Sequence, residues 1–273
     1  MRKQDNGKVV IMSECKKNLK DIRHSIYVIR LLAKRDRQRG NSSAFLGQFW
    51  QIINPFIDSV VISLVFTKMF DNGNFIYFPI YILIGTMIYG LFNEGTTSCL
   101  TSLSGNKNFL IKSSISRNLY PIERVYVALI NFCFSIFIFI IVAWYYGLNP
   151  SWEWVLIIPD IILLAIMILG IGKILAIINV VFADITYFYR IFTLFVFYAS
   201  GIFYNTNRLS PLMQELISLN PVYLSIAIAR LSVIDGIIPK WSLWLKLLIY
   251  SILLYNIGTY VYNKNVQNII EKI

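Results

Sequence analysis

Three arginines at alternate positions, Arg35, Arg37 and Arg39, have side chains suited to binding an anion. A planar guanidinium group can form two parallel hydrogen bonds to phosphate oxygens, and it stays charged at physiological pH. The three residues lie shortly before the first long apolar segment, so they should sit at the depth of lipid headgroups. They therefore predict a contact with phosphate. The alternative is that they act only as positive charges that fix membrane topology.

Charged residues also occur within or near long apolar segments, where exposure to lipid is costly. Such residues usually face a cavity or a partner. The candidates are Asp58, Glu94, Lys173, Asp184 and Arg190, with Asp160 and Lys246 nearer the segment ends. Glu94 and Asp184 are predicted as polar residues inside spans, and Glu94 and Asp58 as polar contacts in an assembly or pathway. Structural hydrogen bonds between helices would explain them equally well.

Several chemistries lack the residues they require. The only histidine is His24, so a histidine-based triad or metal site within the apolar segments is excluded. A G-x-x-x-x-G-K-[ST] phosphate loop is absent, because the nearest segment, residues 105–113, has Ile111 in place of the second glycine. We therefore expect no metal and no cofactor in this chain, and no ATP hydrolysis by that mechanism.

The elements that must position these residues are membrane helices. Of the 273 residues, 57% are hydrophobic and 14% are charged, whereas about a quarter of a soluble domain is charged. A helix crosses the hydrocarbon core with about 20 apolar residues. The predicted fold class is all-α integral membrane, with six transmembrane helices. The predicted spans are residues 45–70, 75–99, 121–146, 152–182, 187–204 and 241–262.

The N-terminal region, residues 1–44, is predicted to be a cytoplasmic tail that ends in an amphipathic helix over 21–39. Its apolar positions Ile22, Ile26, Ile29 and Ala33 share one face, and arginines and lysines lie largely elsewhere. A helix too short and too charged to span should lie in the membrane interface. A solvated charged helix is the alternative.

The remaining segments complete a transmembrane domain over 45–262. Residues 101–120 form a polar loop. Residues 205–240 contain prolines and two short helical patterns, so we expect short helices that re-enter from outside without crossing. Residues 263–273 should be a short cytoplasmic tail.

The distribution of positive charge predicts the orientation. The net charge is +11, and 12 of the 25 lysines and arginines precede residue 45. With the N-terminus inside, the outside loops hold only Arg208, Arg230 and Lys240. This asymmetry predicts a multi-pass protein of the cytoplasmic (inner) membrane with both termini in the cytoplasm. It also indicates contact with anionic membrane lipids rather than with nucleic acid.

Four segments together resemble one transporter family. Residues 35–55 carry a basic stretch and then "LGxxWxxxNP", which resembles the start of the first span in polysaccharide export permeases of the type-2 ABC transporter class. Teichoic-acid and O-antigen export permeases belong to that family. Residues 106–122 resemble its cytoplasmic loop, 184–200 its fifth span, and Leu219-Asn220-Pro221 with Ala229-Arg230 its "LNP…R" segment. Two residues depart from the pattern: Ala183 replaces an arginine, and Gly201 replaces the proline of "SP".

The resemblance implies a permease that forms a channel with a second copy of itself, above two copies of a separate ABC ATPase that holds ATP and Mg²⁺. The substrate would be a polysaccharide on a polyprenyl diphosphate lipid, moved from the cytoplasmic to the outer face. Arg35, Arg37 and Arg39 would receive the diphosphate. Residues 205–240 would form the outer gate. The loop 101–120 would couple to the ATPase through Asn106, Lys107, Lys112 and Arg117.

Aromatic residues are candidates for the channel wall, because sugar rings present C–H faces that stack on aromatic rings while hydroxyl edges need hydrogen bonds. The predicted lining residues are Phe49, Trp50, Asn54, Phe56 and Asp58 in the first span and Phe192, Phe195 and Tyr198 in the fifth. The chain has 36 phenylalanines and tyrosines (19 and 17), and most of them must pack helices or face lipid.

Two other functions compete with this one. The first is an ABC permease for another lipid or a drug, against which the basic interfacial helix and the "LGxxWxxxNP" segment argue. The second is an intramembrane enzyme that modifies lipid-linked sugars. An enzyme would need a clustered acid–base or metal-binding set, and the sequence contains no such cluster.

Overall fold

The computed structural model describes residues 23–35, 57, 77–106, 115–204, 206 and 209–270. Regular elements in these ranges are helical, and the ranges contain no strand. The helices are α1 (23–35), α2 (Phe78–Leu100), α3 (Leu119–Tyr145), α4 (Ile157–Val181), α5 (Ile185–Tyr198), α6 (Pro211–Ser218), α7 (Pro221–Val233) and α8 (Trp241–Ile270). Short 3₁₀ turns cover Ser104–Asn106 and Trp152–Leu156.

Three helical segments are long and apolar enough to cross a membrane: Leu119–Tyr145, Trp152–Val181 and Trp241–Asn268. The pair α6–α7 passes the same test jointly, but its two helices bend by 102° at their break, so it is a broken span or a re-entrant loop. Within the described ranges the chain thus has three candidate spans, or four if the bent pair counts as one. This confirms a helical membrane protein.

The remaining predicted spans differ from the helices found. Apart from residue 57, the predicted span 45–70 lies outside the described residues. Helix α2 has spanning length (23 residues), but its second half carries Asn93 and Glu94 and is less apolar. Helix α5 has only 14 residues and ends at Tyr198 rather than 204, because the backbone turns at Gly201 with φ +63°. Helix α8 continues to Ile270, so the tail predicted from residue 263 is helical there.

Helix α2 is central to the bundle and packs against α3, α4 and α7. Its buried residues join those of α3, α4 and α7 in one apolar core. Pro79 lies in its first turn. Backbone N–H groups there have no acceptor within the helix, so the N–H that proline lacks costs no hydrogen bond. Helix α3 ends where Gly147 adopts φ +73°, and the Leu148 N–H donates to the Ala143 carbonyl oxygen at 2.9 Å, as in a helix C-cap.

Helices α4 and α8 cross with their backbones in contact. A Cβ on Gly258 would lie 2.1 Å from the carbonyl oxygen of Gly170, and one on Gly170 would lie 2.4 Å from that of Leu254. Only glycine fits at both positions. Small residues allow such close approach of membrane helices, where packing rather than water drives association.

The bundle has two ends, which we name after helices found there. The α1 end contains α1, the segment after α2, the start of α3 and the last turns of α4 and α8, joined in a second apolar cluster. The α6 end contains α6 and α7, the start of α2 and the turn after α5. The expected cytoplasmic side corresponds to the α1 end.

Helix α1 packs on the bundle through residues that belong only in part to the apolar face predicted for the membrane interface. Val28, Leu32 and Ala33 are buried, whereas Ile26 is exposed, and Ile22 lies outside the described residues. Val28 and Leu32 pack in one apolar cluster with residues of the bundle, namely Leu103, Tyr120, Tyr262 and Val266. Of the predicted apolar face, Ala33 is buried on the bundle and Ile26 is exposed; its position in the membrane interface stays a prediction.

Candidate functional site

A buried arginine connects three segments at the α6 end. Arg230 on α7 is only 6% exposed. Its Nε and Nη2 atoms donate to the Tyr81 carbonyl oxygen of α2 at 3.2 and 3.0 Å. Its Nη1 and Nη2 atoms donate to the carbonyl oxygens of Gly201 and Ile202 at 2.8 and 3.0 Å. The guanidinium carbon also lies 3.2 Å from the centre of the Tyr81 ring. We call this group the Arg230 node.

Glycine on the facing helix leaves room for this cation. A Cβ on Gly85, one turn after Tyr81, would come within 2.8 Å of Arg230 Nη2. A charge buried in the protein needs several hydrogen bonds to offset its lost hydration, and the three carbonyl oxygens supply them. The node thus depends on a small residue in α2 and on free carbonyl groups in the turn after α5.

The start of α7 binds the same turn. The Asn220 side chain accepts a hydrogen bond from the Val222 N–H at 3.0 Å, which caps the helix, and Pro221 fills its first turn. The Asn220 amide nitrogen donates to the Ser200 hydroxyl at 3.0 Å and to the Ala199 carbonyl oxygen at 3.3 Å. The "LNP…R" segment is therefore hydrogen-bonded to the turn after α5 from both ends of α7, through Asn220 at its start and Arg230 in its last turn.

Gly201 explains one departure from the family pattern. Its φ of +63° lies in the left-handed region, which proline cannot adopt because its ring fixes φ near −65°. The glycine therefore permits a turn that differs from that of an "SP" sequence. This turn presents the Gly201 and Ile202 carbonyl oxygens to Arg230.

Tyrosines extend the node toward the surface. The Tyr81 hydroxyl donates to the Tyr204 carbonyl oxygen at 2.9 Å, and the Tyr204 hydroxyl donates to the Tyr198 carbonyl oxygen at 3.1 Å. The hydroxyls of Thr206 and Tyr223 lie 3.1 Å apart and share a hydrogen bond. The last turn of α5 is thereby joined to α2.

The three aromatic residues predicted on the fifth span lie on one exposed face of α5: Phe192, Phe195 and Tyr198. The opposite face is buried through Tyr189, Thr193 and Val196. It is held to α2 by the Tyr89 hydroxyl, which donates to the Thr193 carbonyl oxygen at 2.8 Å. The structure therefore brings these aromatics together as one stripe.

Of the two polar residues predicted inside spans, one is hydrogen-bonded to a neighbouring helix and the other lies in a turn between helices. The Asn131 amide of α3 donates to the Glu94 carboxylate of α2, so Glu94 joins two helices, as the alternative interpretation held. Asp184 is exposed in the turn before α5. Its predicted position inside a span is wrong, because α4 ends when Phe182 adopts an extended backbone.

Two further charged residues contact neighbouring helices. The Lys173 ammonium on α4 donates to the Thr259 hydroxyl of α8 at 3.0 Å and lies 5.0 Å from the centre of the Tyr255 ring. The Ser225 hydroxyl of α7 donates to the Asp160 carboxyl at 2.9 Å. Both therefore contribute to helix packing.

At the α1 end, two residues predicted for different roles are bonded to each other. The Arg35 Nη2 atom donates to the Asn106 side-chain oxygen at 2.6 Å. Asn106 is buried, and its amide nitrogen donates to the Ser102 carbonyl oxygen at 2.9 Å. Helix α1, with the candidate phosphate arginine, is thus tied to the first part of the predicted coupling loop.

Other side-chain pairs reinforce this end. The Asn179 amide of α4 donates to the Ser104 hydroxyl at 2.9 Å, and the Thr186 hydroxyl of α5 donates to Asn179 at 3.1 Å. The Tyr262 hydroxyl of α8 donates to the Arg117 carbonyl oxygen at 2.8 Å. Both flanks of the loop, at 101–106 and at Arg117, are therefore anchored to spanning helices.

The other predicted site residues lie outside the described residues: Arg37, Arg39, Phe49, Trp50, Asn54, Phe56, Asp58, Lys107 and Lys112. Across the described ranges, no three His, Cys, Asp or Glu side chains gather into a possible metal site.

The Arg230 node was not anticipated. Arg230 was counted only as one of the positive charges of the segment 205–240, and the structure shows that it is buried within α7. The available signal was the "LNP…R" pattern, in which Asn220 and Arg230 are ten positions apart and α7 places both near the turn after α5. The acceptors are backbone carbonyl groups, which no sequence pattern marks.

Comparisons with known proteins agree with the predicted family. A profile described as "ABC-2 type transporter" matches residues 27–234. An O-antigen export system permease protein RfbA of Klebsiella pneumoniae is 23% identical over 235 residues, which cover 86% of this chain and 90% of that protein. A second protein of that name from Myxococcus xanthus is 26% identical over 197 residues, covering 70% of this chain and 74% of its own length.

Proposed function

This chain belongs to the ABC-2 type transporter family, and from that premise we propose that it is the permease of a polysaccharide exporter. Its substrate is a polysaccharide of the O-antigen or teichoic-acid type, carried on a polyprenyl diphosphate and moved from the cytoplasmic to the outer face. The observation that carries the proposal is similarity to an O-antigen export permease over 90% of that protein's length.

The family comprises transporter components, so this chain is a transporter component and not an enzyme. That removes the intramembrane enzyme from the alternatives. The sequence carries no phosphate-binding loop, and ABC-2 permeases work with an ABC ATPase. We therefore assign ATP and Mg²⁺ to two copies of a separate ATPase, which work with two copies of this chain.

The ATPase docks at the α1 end in this proposal. Arg117 and the loop around it contact the ATPase, with Lys107 and Lys112 in the same loop. The bonds of Asn106 to Arg35 and of Tyr262 to the Arg117 backbone support this role, because they link both flanks of the loop to helices. A displacement of the loop would then move α1 and α8.

The substrate path involves the other predicted residues. The diphosphate meets Arg35, Arg37 and Arg39 near the α1 end, and the polymer slides along aromatic residues. The stripe Phe192, Phe195 and Tyr198 supports this, because all three are exposed on one face of α5. The first predicted span supplies the rest of the wall, and the bent α6–α7 pair forms the outer gate.

The membrane arrangement completes the proposal. The chain has six spans in the cytoplasmic (inner) membrane, with both termini in the cytoplasm. The charge distribution supports this orientation, since 12 of the 25 lysines and arginines precede residue 45. The α1 end then faces the cytoplasm, and the α6 end faces outward.

A deletion strain provides the test. Without this chain, cells should still synthesise the lipid-linked polymer but should lose it from the outer surface, as measured by surface labelling with an intact-cell control. The wild-type chain should restore labelling. The triple variant F192A/F195A/Y198A should restore it poorly. The matched control is F137A on α3, because Phe137 is an aromatic of similar exposure, 66% against 70% for Phe195.

The same deletion strain also distinguishes a polysaccharide exporter from an exporter of drugs or other lipids. Unchanged surface polymer in the deletion strain, together with altered resistance to apolar drugs, would favour a drug or lipid exporter instead. Full surface labelling with the α5 triple variant would remove the aromatic stripe from the path and leave the family assignment intact.

A further inference from the structure

Helices α2 and α5 pack against each other in opposite directions. Toward the α6 end, the ring of Tyr89 on α2 lies 4.8 Å from the ring of Phe197 near the end of α5. Toward the α1 end, Leu100 at the end of α2 shares an apolar cluster with Tyr189 near the start of α5. Later residues of α2 therefore lie beside earlier residues of α5, and the pair is antiparallel.

Polar side chains of both helices emerge on one side of this pair. Thr96 of α2 lies beside the Tyr189 hydroxyl of α5, and both residues are buried. One residue step turns an α-helix by about 100°, and in an antiparallel pair the two steps lead to the same side. Thr97 and Arg190 therefore share a side, and both are exposed. Asn93, one turn before Thr97, is half-buried there, and its side-chain oxygen lies 3.4 Å from the Thr97 hydroxyl.

This polar group offers hydrogen-bond donors that the rest of the described chain leaves unused. Within 23–35, 77–106, 115–204 and 209–270, the Arg190 guanidinium has no ion pair, and neither it nor the Asn93 amide nitrogen has a hydrogen-bond acceptor. Glu94 accepts from Asn131 on α3 instead. Asp184 is six positions from Arg190 and so lies off its helical face. A guanidinium in an apolar helix needs an anion or water beside it, and these donors favour an anion.

The position of the group along the helices fits a lipid-linked anion. Thr97 lies in the last turn of α2, and Arg190 lies in the second turn of α5, so the group is close to the α1 end. In the proposed orientation this is the depth of the inner-leaflet headgroups. Leu194 and Tyr198 follow Arg190 at four-residue intervals and are exposed. Tyr198 belongs to the aromatic stripe, so an anion at Arg190 would lie in line with the residues assigned to the polymer.

We propose that Asn93, Thr97 and Arg190 bind the diphosphate of the lipid-linked polymer, in addition to the arginines at 35, 37 and 39; this inference rests on the proposed function. The guanidinium forms two parallel hydrogen bonds to phosphate oxygens, and the amide and hydroxyl of α2 supply donors beside it. A bilayer phospholipid offers the same phosphate chemistry with one phosphate. Two phosphates match donors that are spread over two helices.

Calorimetric titration of the purified complex with its ATPase, in nanodiscs of phosphatidylcholine, tests the site. The probe is farnesyl diphosphate, a short and water-soluble polyprenyl diphosphate. R190M should weaken its binding about tenfold, which is a 1.4 kcal/mol change in affinity. N93L removes only a neutral donor, so we expect about a threefold loss. The effect of R190M should persist in the background R35Q/R37Q/R39Q, which removes the other proposed diphosphate contacts.

Two variants control for charge alone. K246M removes an exposed cation of α8 near the α6 end and should leave farnesyl diphosphate binding unchanged. R190K keeps the charge but lacks the planar fork, so its affinity should lie between those of R190M and the wild type. Lysophosphatidylglycerol, which carries one phosphate, distinguishes the two sources of the anion. We expect it to bind the wild type more weakly than farnesyl diphosphate does.

Three binding results would overturn the proposal: an unchanged affinity in R190M, an equal loss in K246M, or lysophosphatidylglycerol binding that is as tight and as sensitive to R190M. The last result would assign the group to bilayer phospholipid. Surface labelling of cells separates this site from the proposed function. A deletion strain that keeps its surface polymer would overturn both. A deletion strain that loses the polymer, but is fully restored by R190M, would overturn this site alone.

Discussion

At the α6 end a single guanidinium group on α7 binds two other segments, whereas at the α1 end the links are divided among several side-chain pairs. Arg230 makes its hydrogen bonds to backbone carbonyl oxygens of α2 and of the turn after α5. At the other end, Arg35 bonds to Asn106 and Asn179 bonds to Ser104, and apolar contacts surround them. Both ends join α2 to its neighbours, but they distribute the interactions differently.

The difference has a physical consequence for how each end responds to change. Backbone acceptors remain in place when Arg230 is lost, so one substitution leaves several buried carbonyl groups without their donor. Each side-chain pair at the α1 end can be lost while the apolar cluster persists. The α6 end should therefore open as a unit, and the α1 end should weaken in small steps.

The largest effect should follow from R230M, which keeps the length of the side chain but removes its donors. We expect a loss of about 3 kcal/mol or more in stability, since each buried acceptor left unpaired costs about 1–3 kcal/mol. The apparent melting temperature of the purified complex in lipid nanodiscs measures it. Limited proteolysis should show faster cleavage between α5 and α6, because the turn loses its anchor.

Two related variants sharpen this result. R230K keeps a charge but cannot present a planar fork to several carbonyl groups, so its melting temperature should lie between those of R230M and the wild type. R190M removes an exposed arginine from α5 and should leave the melting temperature unchanged. If R190M and R230M destabilised the complex equally, the node would not dominate the α6 end.

An intermediate effect is expected for N220A at the start of α7. The substitution removes the helix cap and both bonds to the turn after α5. Loss of such a cap costs about 0.5–2 kcal/mol, so the melting temperature should fall less than for R230M. Combining N220A with R230M should give less than the sum of the two effects, because both act on one turn. An additive double variant would show that the two residues hold the turn independently.

The sequence predicted helices better than it predicted contacts. Continuous apolar stretches mark α3, α4 and the start of α8 within a few residues, because a lipid-exposed span must be apolar along its length; the polar last turns of α8, from residue 263 to Ile270, were not predicted. The end of α5 was missed, since Gly201 could equally have continued the apolar run. The burial of Arg230 was missed for a related reason: hydropathy treats an arginine as a surface residue and cannot register the carbonyl groups that surround it.

Some parts of the candidate site were predicted and others were not. The difference is whether the interacting residues lie on one helix or are distant in the sequence. The α5 stripe followed from helical spacing alone, because Phe192, Phe195 and Tyr198 recur at three-residue intervals. The bond between Arg35 and Asn106 joins residues 71 positions apart, and no local pattern indicates it. Glu94 could be recognised as needing a partner, but Asn131 could not be identified as that partner without the fold.

A smaller effect should come from R35M and N106L at the α1 end. A hydrogen bond to a charged group contributes about 1.5–3 kcal/mol, and Arg35 is half-buried, so we expect a coupling energy near the lower limit. A double-mutant cycle on the melting temperature measures that coupling. In the proposed function, either variant should also weaken the response of ATPase activity to the permease. K34M, an exposed neighbour on α1, should change neither quantity.

The smallest effect, and the most informative for the α1 end, is expected for Y262F. The ring stays buried among Val28, Leu103 and Tyr120, and only the hydroxyl bond to the Arg117 carbonyl oxygen is lost. We expect a loss of about 0.5–1.5 kcal/mol, the usual net value of one hydrogen bond. Stability should therefore hardly change, while coupling between ATP hydrolysis and export should fall, because the flank of the loop is released from α8. A drop in stability as large as that of R230M would mean that the α1 end also depends on a single residue, and the contrast between the two ends would disappear.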